Sequence, residues 1–261
     1  MNDDKITVAL TEDKQEQCEN NYMMTNTGFL DMRQQSLCQS VLKRSSSARG
    51  FFYGGFEEAE RRIAVFVPDY IDVKTVEELH EHFLGNAEEC PLAVVRAKHN
   101  GGKALSHRDY LGSLTGLGIK RESIGDILVS KESADIIILK EMSDFLLANY
   151  GKAGRTYLDI EIMDLSQLVS AEQVTEERSR TVASLRLDNI VAAAFGLSRT
   201  KAAEAVKGGI VFLNSLQCLK PEKAVEEGDR IVLRGKGKAV LKEIGGNTKK
   251  DRIYITFLMY V

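Results

Sequence analysis

The sequence predicts an α+β protein in three parts: an N-terminal α/β segment, a ferredoxin-like βαββαβ central domain, and a C-terminal module of two helices followed by strands. Three observations carry this. Residues 89–165 alternate apolar runs and amphipathic stretches in the order strand, helix, strand, strand, helix, strand. From Ser184 two short segments with helical apolar spacing, split by Gly196, lead into strand-like runs. The charge is also divided: Leu185 to Arg252 holds 14 Lys and Arg against 8 Asp and Glu, a balance of +6, in a chain whose total is −3. The boundaries expected are 1–88, 89–165, a linker at 166–184, and 185–261.

At 261 residues the chain can bury a core in each of two or three domains. No apolar run approaches the ~18 residues of a membrane span. The start, Met1-Asn2-Asp3-Asp4, is acidic rather than signal-like, so a cytoplasmic protein with no membrane partner is expected. Cys18, Cys38, Cys90 and Cys218 lie far apart without a Cys-x-x-Cys pair and read as free thiols. His80 and His82 lack the i, i+4 spacing of a helical zinc pair, and no metal is expected.

Taken in order, residues Met1 to about Asn26 look weakly organised, with one short apolar alternation from Ile6 to Leu10. Phe29, Leu30, Met32, Leu37, Val41 and Leu42 fall near helical spacing up to the serine run at Ser45. Phe51 to Phe56 reads as a strand turned by Gly54-Gly55, Glu57 to Arg61 as a short helix, and Ile63 to Val67 as a strand closed by Pro68. Thr75 to Phe83 is a helix with Thr75 near its N-cap. Centrally, Leu92–Val95, Ile127–Val129, Ala134–Leu139 and Tyr157–Ile162 are strands, and Ser106–Leu117 and Glu141–Tyr150 are helices. An RNA-recognition motif carries aromatics on its third strand, yet Ala134 to Leu139 has none, so any RNA contact here uses something other than base stacking.

The C-terminal module is the most informative stretch. Leu187, Ile190, Val191 and Ala194 mark one helix, which Gly196 stops in a left-handed turn. Ser198 then sits at the N-cap of a second helix running through Ala202, Ala203 and Val206 to Gly208-Gly209, before a strand at Ile210–Leu213. Arg199, Lys201 and Lys207 put positive charge on that helix, where a phosphate also meets free backbone N–H groups. Arg234-Gly235-Lys236-Gly237-Lys238 reads as a cationic hairpin turn, Ala239–Ile244 and Ile253–Phe257 as strands, and Gly245–Asp251 as a polar turn. The stretch resembles the S-four RNA-binding module in Arg186-Leu187-Asp188, Ser198-Arg199, Ala202, Lys207-Gly208-Gly209, Val211, Asn214 and Gly228-Asp229. That resemblance implies an RNA-facing surface on the second helix and the turn after it.

Three catalytic lookalikes fail. His107-Arg108-Asp109 copies a kinase triplet, but Leu114 stands where a metal-binding asparagine belongs and no Asp-Phe-Gly follows. Arg186-Leu187-Asp188 occurs in pseudouridine synthases, where the aspartate precedes a Thr-x-Gly pattern; here Asn189-Ile190-Val191 follows. Gly116-Leu117-Gly118 lacks the third glycine of a dinucleotide loop. No catalytic residue, cofactor or small-molecule substrate is expected.

A second basic cluster lies upstream. Leu111, Leu114 and Leu117 form a core stripe, with His107, Arg108, Lys120 and Arg121 at the ends of the same short helix. From physics alone these are the polar face of a solvated helix; the module downstream makes them candidates for RNA. Nearly the whole chain resembles the YlmH family. The resemblance is carried by Gly54-Gly55-Phe56, Ala59-Glu60-Arg61-Arg62, Pro68, His107 to Gly112, Leu117 to Arg121, Ile124 to Ile127, the S-four residues and Lys249-Lys250-Asp251-Arg252. Asp251 stands where a small residue is expected. Family membership implies a bacterial, non-enzymatic RNA-binding protein, encoded near division genes, that associates with the large ribosomal subunit. Its implied partners are ribosomal RNA and tRNA or peptidyl-tRNA during ribosome-associated quality control. The alternatives are an RNA-modifying enzyme with an appended module and a cell-division adaptor. The expected RNA contacts are Arg186, Ser198, Arg199, Lys201, Lys207, Asn214, Lys236 and Lys238, with a second contact from Arg61, Arg62, His107, Arg108, Lys120 and Arg121.

Overall fold

Residues expected to be weakly organised open the computed structural model as a 20-residue helix, α1 (Asn2–Asn21). Its periodicity is hidden because the buried face is polar: Thr11 and Gln15 are buried beside Cys18, while Ile6 and Leu10 point outward. The Thr11 hydroxyl meets the Cys38 thiol at 3.3 Å, so the polar face is satisfied inside. The structure describes residues 2–44, 47–99, 101, 104–168, 175–214 and 216–260, in two compact units, Met1–Ala171 and Glu172–Val261.

In the first unit, β1 (Thr25–Asn26), β2 (Ala48–Tyr53) and β3 (Ile63–Pro68) form a sheet in the order β1-β3-β2. Helix α2 (Met32–Cys38) begins at a reciprocal capping box between Asp31 and Gln34. The helix expected at Glu57–Arg61 does not form. The N–H groups of Glu60 and Arg61 donate instead to the Asp126 carboxylate at 2.6 and 3.2 Å, which removes them from any helical ladder. Helix α3 (Val76–Gly85) starts as expected, with Thr75 Oγ1 accepting from the Glu78 N–H.

The next strands are β4 (Leu92–Lys98), β5 (Ile124–Val129) and β6 (Ser133–Leu139), with α4 (His107–Gly116) after β4. Helix α5 (Ser143–Asn149), a two-residue pair β7 (Lys152–Ala153) and β8 (Thr156–Tyr157), and β9 (Asp159–Met163) complete the unit. The antiparallel order β5-β6-β4-β9 is the ferredoxin-like arrangement. Strand alternation then decides both faces. Val95, Ala97, Ile136 and Ile138 pack under α4 and α5 against Tyr110, Leu114, Leu146 and Tyr150. Leu92, Val94, Ile137, Leu139 and Met163 pack the other way, against Phe29, Tyr53, Ile63, Val65, Leu79 and Phe83 of the N-terminal segment. Residues 1–88 and 89–165 therefore share a core instead of folding as separate bodies.

The expected linker at 166–184 is also corrected. Part of it, residues 169–174, lies outside the described residues. Thr175–Val182 is a strand, β10, paired along all eight residues with β15 (Ile253–Tyr260). Its sequence hid this because β10 is an edge strand whose Glu176, Glu177, Arg178, Ser179 and Arg180 are all exposed. Helices α6 (Leu187–Phe195) and α7 (Arg199–Lys207) follow, then β11 (Val211–Leu213), β12 (Leu216–Gln217), β13 (Arg230–Leu233) and β14 (Gly237–Asn247). The sheet runs β10-β15-β14-β13-β11-β12. Leu187, Ile190, Val191, Ala202 and Val206 pack both helices onto Val211, Ile231, Leu233, Leu241 and Phe257. Gly196 ends α6 at φ +65°, the left-handed stop expected of it.

Candidate nucleic-acid interface

The α6–α7 hairpin gathers the predicted arginines around one carboxylate. Asp188, in the first turn of α6, is only 3% exposed. It accepts Arg186 Nε at 3.2 Å and NH2 at 3.0 Å, the Asn189 N–H at 2.9 Å, and an ion pair from Arg199 Nε at 3.4 Å. Burial alone raises the Asp188 carboxyl, but the Arg186 and Arg199 charges outweigh it and hold it below the ordinary carboxylate range. Both arginines stay open to solvent, with side chains 39% and 61% exposed. Ser198 caps α7, its Oγ accepting from the Lys201 N–H at 3.3 Å. Lys201 and Lys207 are exposed on that helix. The hairpin thus presents cations and a helix start on one small element.

Two predicted contacts have other tasks. Asn214 sits at φ +50°, where its Nδ2 donates to Asp229 Oδ1 at 2.6 Å and its Oδ1 accepts from the Arg230 N–H at 2.9 Å. Its amide holds the turn to β13, which explains why an Asn stands there. Lys238 is a correction. It is 7% exposed, with its ammonium 4.1 Å from the centre of the Tyr260 ring, and is part of the sheet's packing, not of an exposed basic surface. Lys236 lies exposed on the turn between β13 and β14. Asp251, where a small residue is expected, takes the left-handed φ of +55° and accepts from Asn247 Nδ2 at 2.9 Å, an arrangement aspartate tolerates.

In the first unit, Arg61 binds three backbone carbonyls, with Nε to Ile124 O at 2.9 Å and NH2 to Phe29 O at 3.1 Å and Arg121 O at 2.9 Å. Arg121 NH1 reaches Ile124 O as well, at 3.0 Å. Burial, then the Arg121 charge, pulls the Arg61 guanidinium down to about 10. Burial raises the nearby Asp126 carboxyl, against the pull of the Glu60 and Arg61 N–H groups. Partial desolvation of a ring that still reaches the surface, followed by the Arg121 charge, lowers the pKa of His107. His107 and Arg108 begin α4 behind a Ser106–Asp109 capping box and are exposed. Lys120 faces Glu122 at 3.6 Å, and Arg62 donates to Ala59 O and Glu57 O. The structure brings Arg61, Arg121 and His107 into one polar cluster in which the half-buried guanidinium of Arg61 ties the N-terminal segment to β5. Sequence reasoning gave no role to Asp126 or Asp188. The signal for Asp188 was the Arg-x-Asp spacing at a helix start; Asp126 stood within the family motif at Ile124 to Ile127, but nothing in it named its partners, which lie more than sixty residues away.

Among the described residues no group of His, Cys, Asp and Glu could hold a metal ion, and no helix is long and apolar enough to cross a membrane.

The fold and its matches define the class, an RNA-binding protein with a ferredoxin-like unit followed in the chain by an S-four module. Family models agree: "Putative RNA-binding domain in YlmH" matches residues 99–167 and "S4 domain" matches residues 185–231. The chain is 35% identical over 237 residues, 90% of its length and 87% of the relative's, to the ribosome-associated protein quality control protein P2 of Bacillus subtilis (strain 168). It belongs to that family, the YlmH family. The solved cell division protein ylmH from Streptococcus pneumoniae matches with a TM-score of 0.50 at 19% identity, over 64% of this chain and 95% of its own, and shares the fold.

Proposed function

We propose that the chain is a non-enzymatic factor of ribosome-associated quality control that acts in the cytoplasm. Its α6–α7 hairpin docks on ribosomal RNA of the large subunit and on tRNA or peptidyl-tRNA. The observation that carries this reading is that Arg199, Lys201 and Lys207 of α7 are all exposed, with Arg186 joined to Arg199 through Asp188. The relative's name supports the setting, since that protein is a ribosome-associated quality control protein. Shape and phosphate contacts dominate such docking, because the major groove of an RNA helix is too narrow to read. Arg62, His107, Arg108, Lys120 and Arg121 are the second contact in this proposal, whereas Arg61, expected among them, is spent on backbone carbonyls.

Charge reversal at Arg199 (Arg199→Glu) tests the reading. The variant keeps its fold, because Arg199 is largely exposed, and loses co-sedimentation with isolated large subunits. With about five phosphates engaged, raising salt from ~50 to ~200 mM weakens wild-type binding by roughly 10²–10³-fold. Retained co-sedimentation of Arg199→Glu, or salt-insensitive affinity, overturns the proposal.

A further inference from the structure

We infer that Asp188 is a positioning residue for RNA: a buried carboxylate that holds the Arg186 and Arg199 guanidiniums as a preformed two-pronged seat for one backbone phosphate. The inference rests on the RNA-binding reading of the hairpin. An acidic group on a phosphate-binding surface is a liability, because its charge repels the ligand at close range. Here the carboxylate is 3% exposed and lies beneath two cations whose side chains are 39% and 61% exposed. Its oxygens face Arg186, the Asn189 N–H and Arg199, so the acid is covered while the prongs look outward.

The geometry has a second feature. Arg186 is the N-cap of α6 and Arg199 the first residue of α7, so thirteen positions of chain separate them and no helical spacing aligns them. Asp188 is the group both side chains reach. Arg186 uses Nε and NH2 on it, and Arg199 uses Nε, which leaves further N–H donors of both forks for a ligand. Arginine has many rotamers, and a guanidinium oriented before RNA arrives loses less freedom on binding. Two positive charges against one negative still leave a net attraction for phosphate.

The test turns on a sign. Removing a negative charge from an RNA-facing surface tightens binding if charge alone matters; loss of a clamp weakens it. Full-length Asp188→Asn is titrated against isolated large ribosomal subunits at about 50, 100 and 200 mM salt. The expected result is about tenfold weaker binding at every salt, the scale of one or two side chains that must now be ordered on docking. In an Arg199→Ala background the same substitution costs less than about threefold, since one prong is already gone. Should Asp188→Asn fold poorly, Asp188→Glu keeps the charge and moves the carboxylate by one methylene; weakened binding by this folded variant supports the clamp. Unchanged or tighter binding by a folded variant overturns it. Loss of binding by Arg199→Glu with no weakening by Asp188→Asn removes the clamp alone, whereas retained binding by Arg199→Glu removes the RNA reading beneath it.

Discussion

Replacing Ile137 by Ala asks whether the face of the central sheet turned away from α4 and α5 is core or binding platform. Ile137 is fully buried, sits opposite Val94 in the β4–β6 register, and belongs to the cluster shared with Phe29, Tyr53 and Ile63. A Cβ built on Gly55 would lie 3.6 Å from its Cδ1, which places the N-terminal segment directly over it. Truncation removes three carbons, worth ~2.4 kcal/mol in transfer. A cavity term brings the cost to about 3–4 kcal/mol, inside the usual range for such changes. For a unit of this size that lowers Tm by roughly 6–16 °C. Denaturant titration with hydrogen exchange read by mass spectrometry should localise the loss of protection to peptides from Met1–Ala171. Co-sedimentation with large subunits, measured well below the transition, should not change. A cost under about 1 kcal/mol together with weakened RNA binding would refute the shared core and return the face to the surface.

Two further outcomes follow from side-chain placement. Lys238→Met keeps an unbranched apolar stem and removes the ammonium that lies over Tyr260; ribosome affinity should move less than twofold and its salt slope should hold, whereas loss of a phosphate-contacting lysine lowers that slope by about one. The Asp188 carboxyl is held below its unfolded value, so its stabilisation is complete at neutral pH and is lost as pH falls below about 4 through the lowered folded value. The stability gap between wild type and Asp188→Asn should therefore be widest near pH 7 and shrink near pH 3 in urea titrations; a gap that grows on acidification contradicts the pairing.

Legibility followed how local the cause was. Thr75 and Ser198 were readable as N-caps and Gly196 as a left-handed stop, because each is decided within one helical turn. The βαββαβ order was readable because its apolar strand runs alternate with helical stretches that bury Tyr110, Leu114 and Leu146. Helix α1 was not, since its inward face carries Thr11 and Gln15 and its outward face Ile6 and Leu10. Strand β10 was not, since an edge strand with five exposed polar residues in succession has no apolar signature. The missing helix at Glu57–Arg61 has a distant cause, the Asp126 carboxylate.

The basic candidates divide the same way. Residue type and spacing were enough to place Arg199, Lys201 and Lys207 on one short helix behind a serine cap. They could not separate Lys236, on an open turn, from Lys238, two residues on and buried against Tyr260, because only the second has entered β14 and lies beside the β15 residue Tyr260. Nor could they show that Arg61 faces three carbonyls from two other segments. Sequence alone thus determined the helices whose caps and apolar spacing are local, such as α3, α6 and α7, together with the family and the charge available for RNA. Tertiary structure decided which charges remain open to a ligand and which became internal ties, because that depends on partners brought in from far along the chain.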